Sequence, residues 1–256
     1  MLNYIKSELY RITHSATLYI VTLCFAAAPL LVNLMLFSFG RSIPDYPYST
    51  TSFSYSNIVA NPMFYCIAAL CLVFALYEGN KKNGNLKNVV ASGISREKIF
   101  AGQFIVCLLT AIVVMAITLT VYILSATLLL RNAGPVGIVD MLNEILAVSL
   151  VAIAALILGI VVVLLFDKTF LGIACWFGVL FFIPQVLFYI GIEIEPIREI
   201  AMWMPRNFFS GMEVNLSVCN PIWNKPLGLA TCFISGFIGI IIFSILGILA
   251  LRKKEL

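Results

Sequence analysis

Apolar runs long enough to cross a bilayer recur six times in this chain, separated by short polar breaks. A hydrocarbon core about 30 Å thick needs about 20 consecutive apolar residues in helical form, and only helices or closed barrels satisfy their backbone groups inside lipid. The runs are Ala16 to Phe39, Ile58 to Tyr77, Ala101 to Leu130, Met141 to Phe166, Phe170 to Ile192 and Leu227 to Leu251. The expected fold is an all-α polytopic membrane protein of six transmembrane helices, with residues 1–256 as a single membrane domain. Composition agrees, since 62% of residues are hydrophobic and 11% are charged, against about 25% charged in a soluble domain. The first run follows Lys6 and Arg11 and contains Ala26-Ala27-Ala28, as a cleaved signal would. It is too long for a signal h-region and reads as a retained span.

Basic residues set the orientation. Lys6 and Arg11, then Lys81, Lys82, Lys87, Arg96 and Lys98, then Lys168, then Arg252, Lys253 and Lys254 fall on one side of the alternating spans. Only Arg41, Arg131, Arg198, Arg206 and Lys225 fall on the other. The positive-inside rule then places both termini in the cytoplasm. The net charge of +4 is spent on topology, so no nucleic-acid partner is expected. In residues 1–15, Leu2, Ile5, Leu9 and Ile12 recur at steps of three and four, which predicts an amphipathic helix lying along the inner leaflet. Residues 193–226 form the longest outward segment, an extracellular amphipathic loop in which Trp203 and Trp223 suit the bilayer interface.

Catalytic chemistry finds little to work with. The single histidine is His14, every cysteine but Cys219 lies in an apolar run, and no phosphate-cradling G-x-x-x-x-G-K-[ST] loop occurs. Hence no catalytic residue, metal site or cofactor is expected on this chain. Glu144 is the only ionisable residue other than tyrosine and cysteine inside the runs, one turn from the outer end of the fourth, where it is expected to reach water. Asn33, Gln103 and Gln185 are expected to join helices, and Ser235, Gly236, Gly239 and Gly247 to let the last span pack closely. Pro29 and Pro184 predict kinks.

The segment EGNKKNGNLKNVVASGISREKIFAGQ, from Glu78 to Gln103, carries the most pattern. Asn85 can cap a two-turn helix with Leu86, Val89 and Val90 on its apolar face, and Gly93 can close it in the left-handed conformation. Ser95 then caps a helix with Glu97 in its first turn, leading into the third span. Residues 78–100 thus read as a cytoplasmic loop holding a short amphipathic helix, which needs a covering surface to be stable.

Glu78, the G-N-L-K-N of Gly84 to Asn88 and the S-G-I-S-R of Ser92 to Arg96 resemble the ABC-2 type permeases, in particular the six-span subunits of lantibiotic-immunity and antimicrobial-peptide exporters. The residue match is local, while the span count, the amphipathic N-terminus and the tight Asp167-Lys168 turn agree along the whole chain. The resemblance implies that residues 78–100 are a cytoplasmic coupling loop whose coupling helix of Asn85, Leu86, Lys87, Asn88, Val89 and Val90, flanked by Arg96 and Lys98, docks on a separate ABC ATPase subunit. It makes Glu78 the family-motif acid ending span two, and Trp203, Phe208 and Phe209 an outer gate. ATP and Mg would belong to the ATPase, present in two copies with a second copy of this chain or a homologous permease. The implied cargo is an amphipathic peptide (bacteriocin, lantibiotic or cytolytic peptide) or similar hydrophobic compound, exported across a bacterial plasma membrane. In a bacterium the Asn215-Leu216-Ser217 sequon carries no meaning. Two other readings stay open: a stand-alone secondary transporter or channel, and a non-transporting membrane sensor subunit.

Overall fold

The structure is a computed structural model that describes residues 1–82, 89 and 93–253. The helices are α1 (Leu2–Thr13), α2 (Ala16–Ser42), α3 (Thr51–Val59), α4 (Met63–Lys82), α5 (Arg96–Leu129), α6 (Ile138–Leu165), α7 (Thr169–Ile190), α8 (Glu195–Met202), α9 (Pro205–Ser210) and α10 (Gly228–Lys253). Between α9 and α10 lie a two-residue hairpin, β1 (Glu213–Val214) against β2 (Cys219–Asn220), and a 3-10 turn at Ile222–Asn224. The five helices α2, α5, α6, α7 and α10 are each long and apolar enough to cross a membrane, and the bent pair α3–α4 supplies a sixth span. The chain is a multi-pass, all-α membrane protein.

The second span departs from the expected straight run over Ile58 to Tyr77. The chain turns by 72° between α3 and α4, because Pro62 has no amide hydrogen and disfavours helical geometry at Asn61. Helix α3 has its own start, with the Thr50 hydroxyl accepting from the Phe53 amide, so it is a helix in its own right and not an extension of α4. The third span begins earlier than Ala101, at Arg96, one continuous helix from the loop into the membrane. Pro29 leaves α2 unbroken. Pro184 follows a π-helical stretch at Gly178–Phe182 inside α7, where backbone pairing is loosened.

Helix α6 is the axis of the fold. In its most apolar window 72% of residues are buried, against 11% in α2 and 22% in α5, α7 and α10, which leaves those helices facing lipid or a partner. The last span packs on α6 through its small residues: a Cβ on Gly236 would sit 2.7 Å from the Val151 amide nitrogen, and one on Gly247 would sit 2.6 Å from a Val161 methyl. The expected close packing is met at Gly236 by the α6 backbone and at Gly247 by the Val161 and Phe100 side chains.

Two ends can be distinguished. At the basic end lie both terminal segments, the entry and exit of the 78–100 segment, and the turn at Asp167-Lys168. The capped end is closed by residues 43–50, 130–137 and 191–227; the Arg131 amide joins the first two through the Ser49 carbonyl at 3.1 Å, and the Thr51 amide to the Arg131 carbonyl at 2.9 Å and the Val136 amide to the Ser52 hydroxyl at 3.0 Å fasten 130–137 to α3. Helix α1 lies against α5, with the Tyr4 ring where a Cβ on Gly102 would be 2.7 Å away. Burial there pushes the Tyr4 hydroxyl well above its usual pKa.

Candidate functional site: a tethered loop and a capped polar core

Of the docking residues expected from sequence, Asn85, Leu86, Lys87, Asn88 and Val90 lie outside the described residues. Val89 is helical and half-buried, and Arg96 opens α5. Gly93 has φ +85°, the left-handed conformation that its position required. Ser95 occupies the N-cap position of α5, although its hydroxyl makes no capping bond, and Glu97 stands in the first turn as expected.

Both ends of this segment are fastened to spans that do not adjoin it in sequence. At its entry, the Thr169 hydroxyl donates to Glu78 Oε1 at 2.5 Å. That contact sets a carboxylate at the N-terminus of α7, where the helix dipole favours negative charge. At its exit, Arg252 Nε donates to Glu97 Oε1 at 2.9 Å, Arg252 Nη2 approaches the same oxygen, and Arg96 Nη1 donates to the Arg252 carbonyl at 3.4 Å. The segment therefore leaves α4 held to α7 and enters α5 held to α10. The Arg11 guanidinium, bonded to Glu8 at 2.8 Å, stands 5.7 Å over the Tyr77 ring and brings α1 into the same assembly.

At the capped end, the Asn33 amide of α2 donates to Ser125 Oγ of α5 at 2.8 Å, its Oδ1 accepts from the Ser54 hydroxyl of α3 at 2.7 Å, and the Tyr122 hydroxyl of α5 donates to the Ser54 carbonyl at 2.6 Å. Three helices are joined by one buried polar network, the role expected of Asn33. Phe208 and Phe209 are buried together, with ring centroids 4.5 Å apart. Trp203 does not join them: half of it is exposed, and its carbonyl accepts from the Ser235 hydroxyl at 3.0 Å. Asn207, which sequence reasoning did not single out, holds the closure, donating to the Pro184 and Ala201 carbonyls at 2.8 Å each. Nothing in the string Pro-Arg-Asn-Phe-Phe marks it, because its partners lie on α7 and α8.

The sequence model of the family described as ABC-2 family transporter protein matches residues 4–185. The chain belongs to that family. No curated protein matches it. The match runs from α1 into α7 and takes in the whole tethered loop, so the segment held by Glu78, Glu97 and their partners lies within the ABC-2 membrane component. Such a component carries out transport rather than catalysis and works with an ABC ATPase in a membrane.

One residue of this ABC-2 chain stands differently from expectation. Glu144 does not reach water; it is fully buried, and neither carboxylate oxygen meets a hydrogen-bond partner among the described residues. The α3–α4 bend and the cap between α7 and α10 close over the outer turns of α6, which the sequence reading had left open. The Tyr65 hydroxyl of α4 lies beside Glu144, itself buried and with no hydrogen bond of ordinary geometry. On the other face of the cap, a groove of about 780 Å³ follows the loosened part of α7, lined by Phe177, Phe181, Phe182, Gln185, Tyr189 and Arg206.

Proposed function

We propose that this chain is the permease subunit of an ABC exporter that moves an amphipathic peptide or similar hydrophobic compound outward, with ATP hydrolysed on a separate subunit. The basic end faces the cytoplasm in this reading, on the strength of its excess of Lys and Arg, and α1 lies along the inner leaflet. The single observation that carries the proposal is the double attachment of the 78–100 segment. A docking helix moved by an ATPase acts on whatever its ends are fixed to, and here these are α7 through Glu78–Thr169 and α10 through Glu97–Arg252. Closure of nucleotide-loaded subunits would bias the packing of those spans between two states. Lipid-facing apolar spans suit an amphipathic or hydrophobic cargo. Phe208 and Phe209, pinned by Asn207, would form the exit gate, with Trp203 anchoring the rim.

Co-purification of the tagged chain with products of neighbouring reading frames tests this. An ATPase is expected to accompany the natural chain and to be lost from a Leu86→Asp, Val89→Asp double variant. The cargo assignment is tested in cells, where unchanged sensitivity to membrane-active peptides after deletion of the chain would sink it. A second reading, an ion-coupled transporter working without ATPase, has one observation in its favour, the buried acid Glu144. It gains ground if no ATPase associates.

A further inference from the structure

We propose that Glu144, with the hydroxyls of Tyr65 and Tyr55, forms a binding site for one monovalent cation beneath the capped end, taking either a free ion or the ammonium group of a cargo molecule. Four polar atoms there are buried and lack a hydrogen-bond partner among the described residues: Oε1 and Oε2 of Glu144 and the hydroxyl oxygens of Tyr55 and Tyr65. Tyr122 neighbours all three residues. Its ring centroid is 5.7 Å from that of Tyr55, and it stands within electrostatic reach of both Tyr65 and Glu144. Its own hydroxyl is already committed to Ser54. Met141 and Val148, which share the helix face of Glu144, belong to the same buried cluster as Phe208, Phe209 and Trp223. The site is therefore covered by the cap.

Buried carboxylates elsewhere in proteins are paired with a cation or coordinate one, since desolvation otherwise penalises them heavily. Among the described residues no lysine or arginine pairs with Glu144. Helices α3 and α7 contain no lysine or arginine, and those of α4, α5 and α10 stand at the basic end. At the capped end Arg41, Arg131, Arg198 and Lys225 are exposed, and Arg206 lines the groove on α7. A single carboxylate among neutral oxygens matches a single positive charge. No group of three or more His, Cys, Asp or Glu exists among the described residues, so the ligand set that a divalent ion would want is not assembled there. Tyrosine ring faces add attraction for an ammonium group. A proton shared with the Tyr65 hydroxyl would also neutralise the carboxylate, and the two species are separated by whether stability follows cation or pH.

The test uses the full chain in lipid nanodiscs and needs no ATPase, so its failure is separate from failure of the docking reading. Melting temperature is followed at constant ionic strength while Na⁺, K⁺ or methylammonium replaces N-methylglucamine. A saturable rise of several degrees is expected for at least one small cation, since a ligand that binds only the folded state stabilises it. The rise should vanish in Glu144→Gln and weaken in Tyr65→Phe. A response to Na⁺ or K⁺ identifies a free ion, and one to methylammonium alone identifies an ammonium group. The proposal is overturned if no small cation raises the melting temperature of the natural chain. It is equally overturned if Glu144→Gln keeps the full rise, or if stability follows pH with no cation dependence, which would make a proton the neutralising species. Should Glu144→Gln not fold, an undiminished rise in Tyr65→Phe overturns the site.

Discussion

The two ends of this membrane protein are built on opposite plans. Beneath the basic end the core is mainly aliphatic and aromatic, with Ile12, Val73, Phe100, Val106, Ile157 and Ile160 interlocked and Gln103 a buried polar side chain near them, while the charges stand at the rim in Glu97–Arg252 and Glu8–Arg11. Beneath the capped end, the core admits Asn33, Ser54, Tyr122, Ser125 and Glu144, and the helices themselves are interrupted, by the bend before α4 and the π-helical stretch of α7. A close-packed apolar block has one arrangement and passes displacement on as a unit. Interhelical polar bonds can be exchanged for others. The difference teaches where a conformational change belongs: it enters through the block at the basic end and is absorbed where packing is polar and backbone pairing loose.

The largest effect should come from the seam that joins the two ends. In Gly236→Ala the new methyl would meet the Leu150 carbonyl carbon and the Val151 amide nitrogen at 2.7 Å, and backbone atoms cannot turn aside. We expect a loss of about 1–3 kcal/mol, read as a lower melting temperature in detergent. Gly178→Ala, where a Cβ meets nothing within 4 Å, should be neutral, and equal losses in both would break the picture of a tight α6–α10 seam.

The capped end supplies the next test. Asn33→Leu keeps bulk but removes the donor to Ser125 and the nearer of two acceptors of the Ser54 hydroxyl, the other being the Tyr122 hydroxyl at 3.0 Å. Interhelical hydrogen bonds in membranes are worth about 0.6 kcal/mol on average and up to about 1.7, so two lost together should cost about 1–2 kcal/mol. A Val73→Ala substitution in the basic-end block would create a cavity instead. If Asn33→Leu proved stabilising, the polar core would have to be held for specificity alone.

How much of this was legible beforehand follows from the range of each signal. Hydropathy is a local sum, so the spans were readable, and so were Gly93 with its positive φ and the start of a helix beside Ser95, each written in a few adjacent residues. The break at Asn61-Pro62 was also written locally, but an apolar run masked it. Glu144 was misjudged because its depth was counted along its own helix, whereas its burial comes from α3, α4 and the cap, distant in sequence. Asn207, Glu78–Thr169 and Glu97–Arg252 are pairings across more than one span, and no spacing rule specifies them. The family resemblance reached the loop because that stretch keeps its pattern over consecutive residues.

The entry tether sharpens the comparison further. Thr169→Val keeps the shape of the first residue of α7 and removes the donor to Glu78. A hydrogen bond to a charged group is worth about 1.5–3 kcal/mol when enclosed, and at this half-buried edge about 1 kcal/mol is the expected loss of stability. Transport should fall by more than stability does, since the loop then moves without α7. A variant with unchanged transport would remove α7 from the path.

The smallest effect belongs to the exit tether. Glu97 and Arg252 have side chains that are 50% and 63% exposed, so water and salt screen the pair, and exposed ion pairs contribute about 0.2–1 kcal/mol. Arg252→Gln should therefore lower the melting temperature by an amount close to the error of measurement, and raised salt should shrink even that difference. Its effect on coupling need not be small, because what the pair fixes is the position of α5's first turn relative to the end of α10, with Gly247 and Phe100 packed just above it. Coupling is measured as transport per ATP hydrolysed. Arg252→Gln should lower that ratio, and charge reversal of both residues, Glu97→Arg with Arg252→Glu, should recover part of it. Recovery by the double variant would establish the pair as a mechanical link, whereas a double variant no better than either single change would assign the loss to the docking surface and leave α7 as the one span tied to the loop.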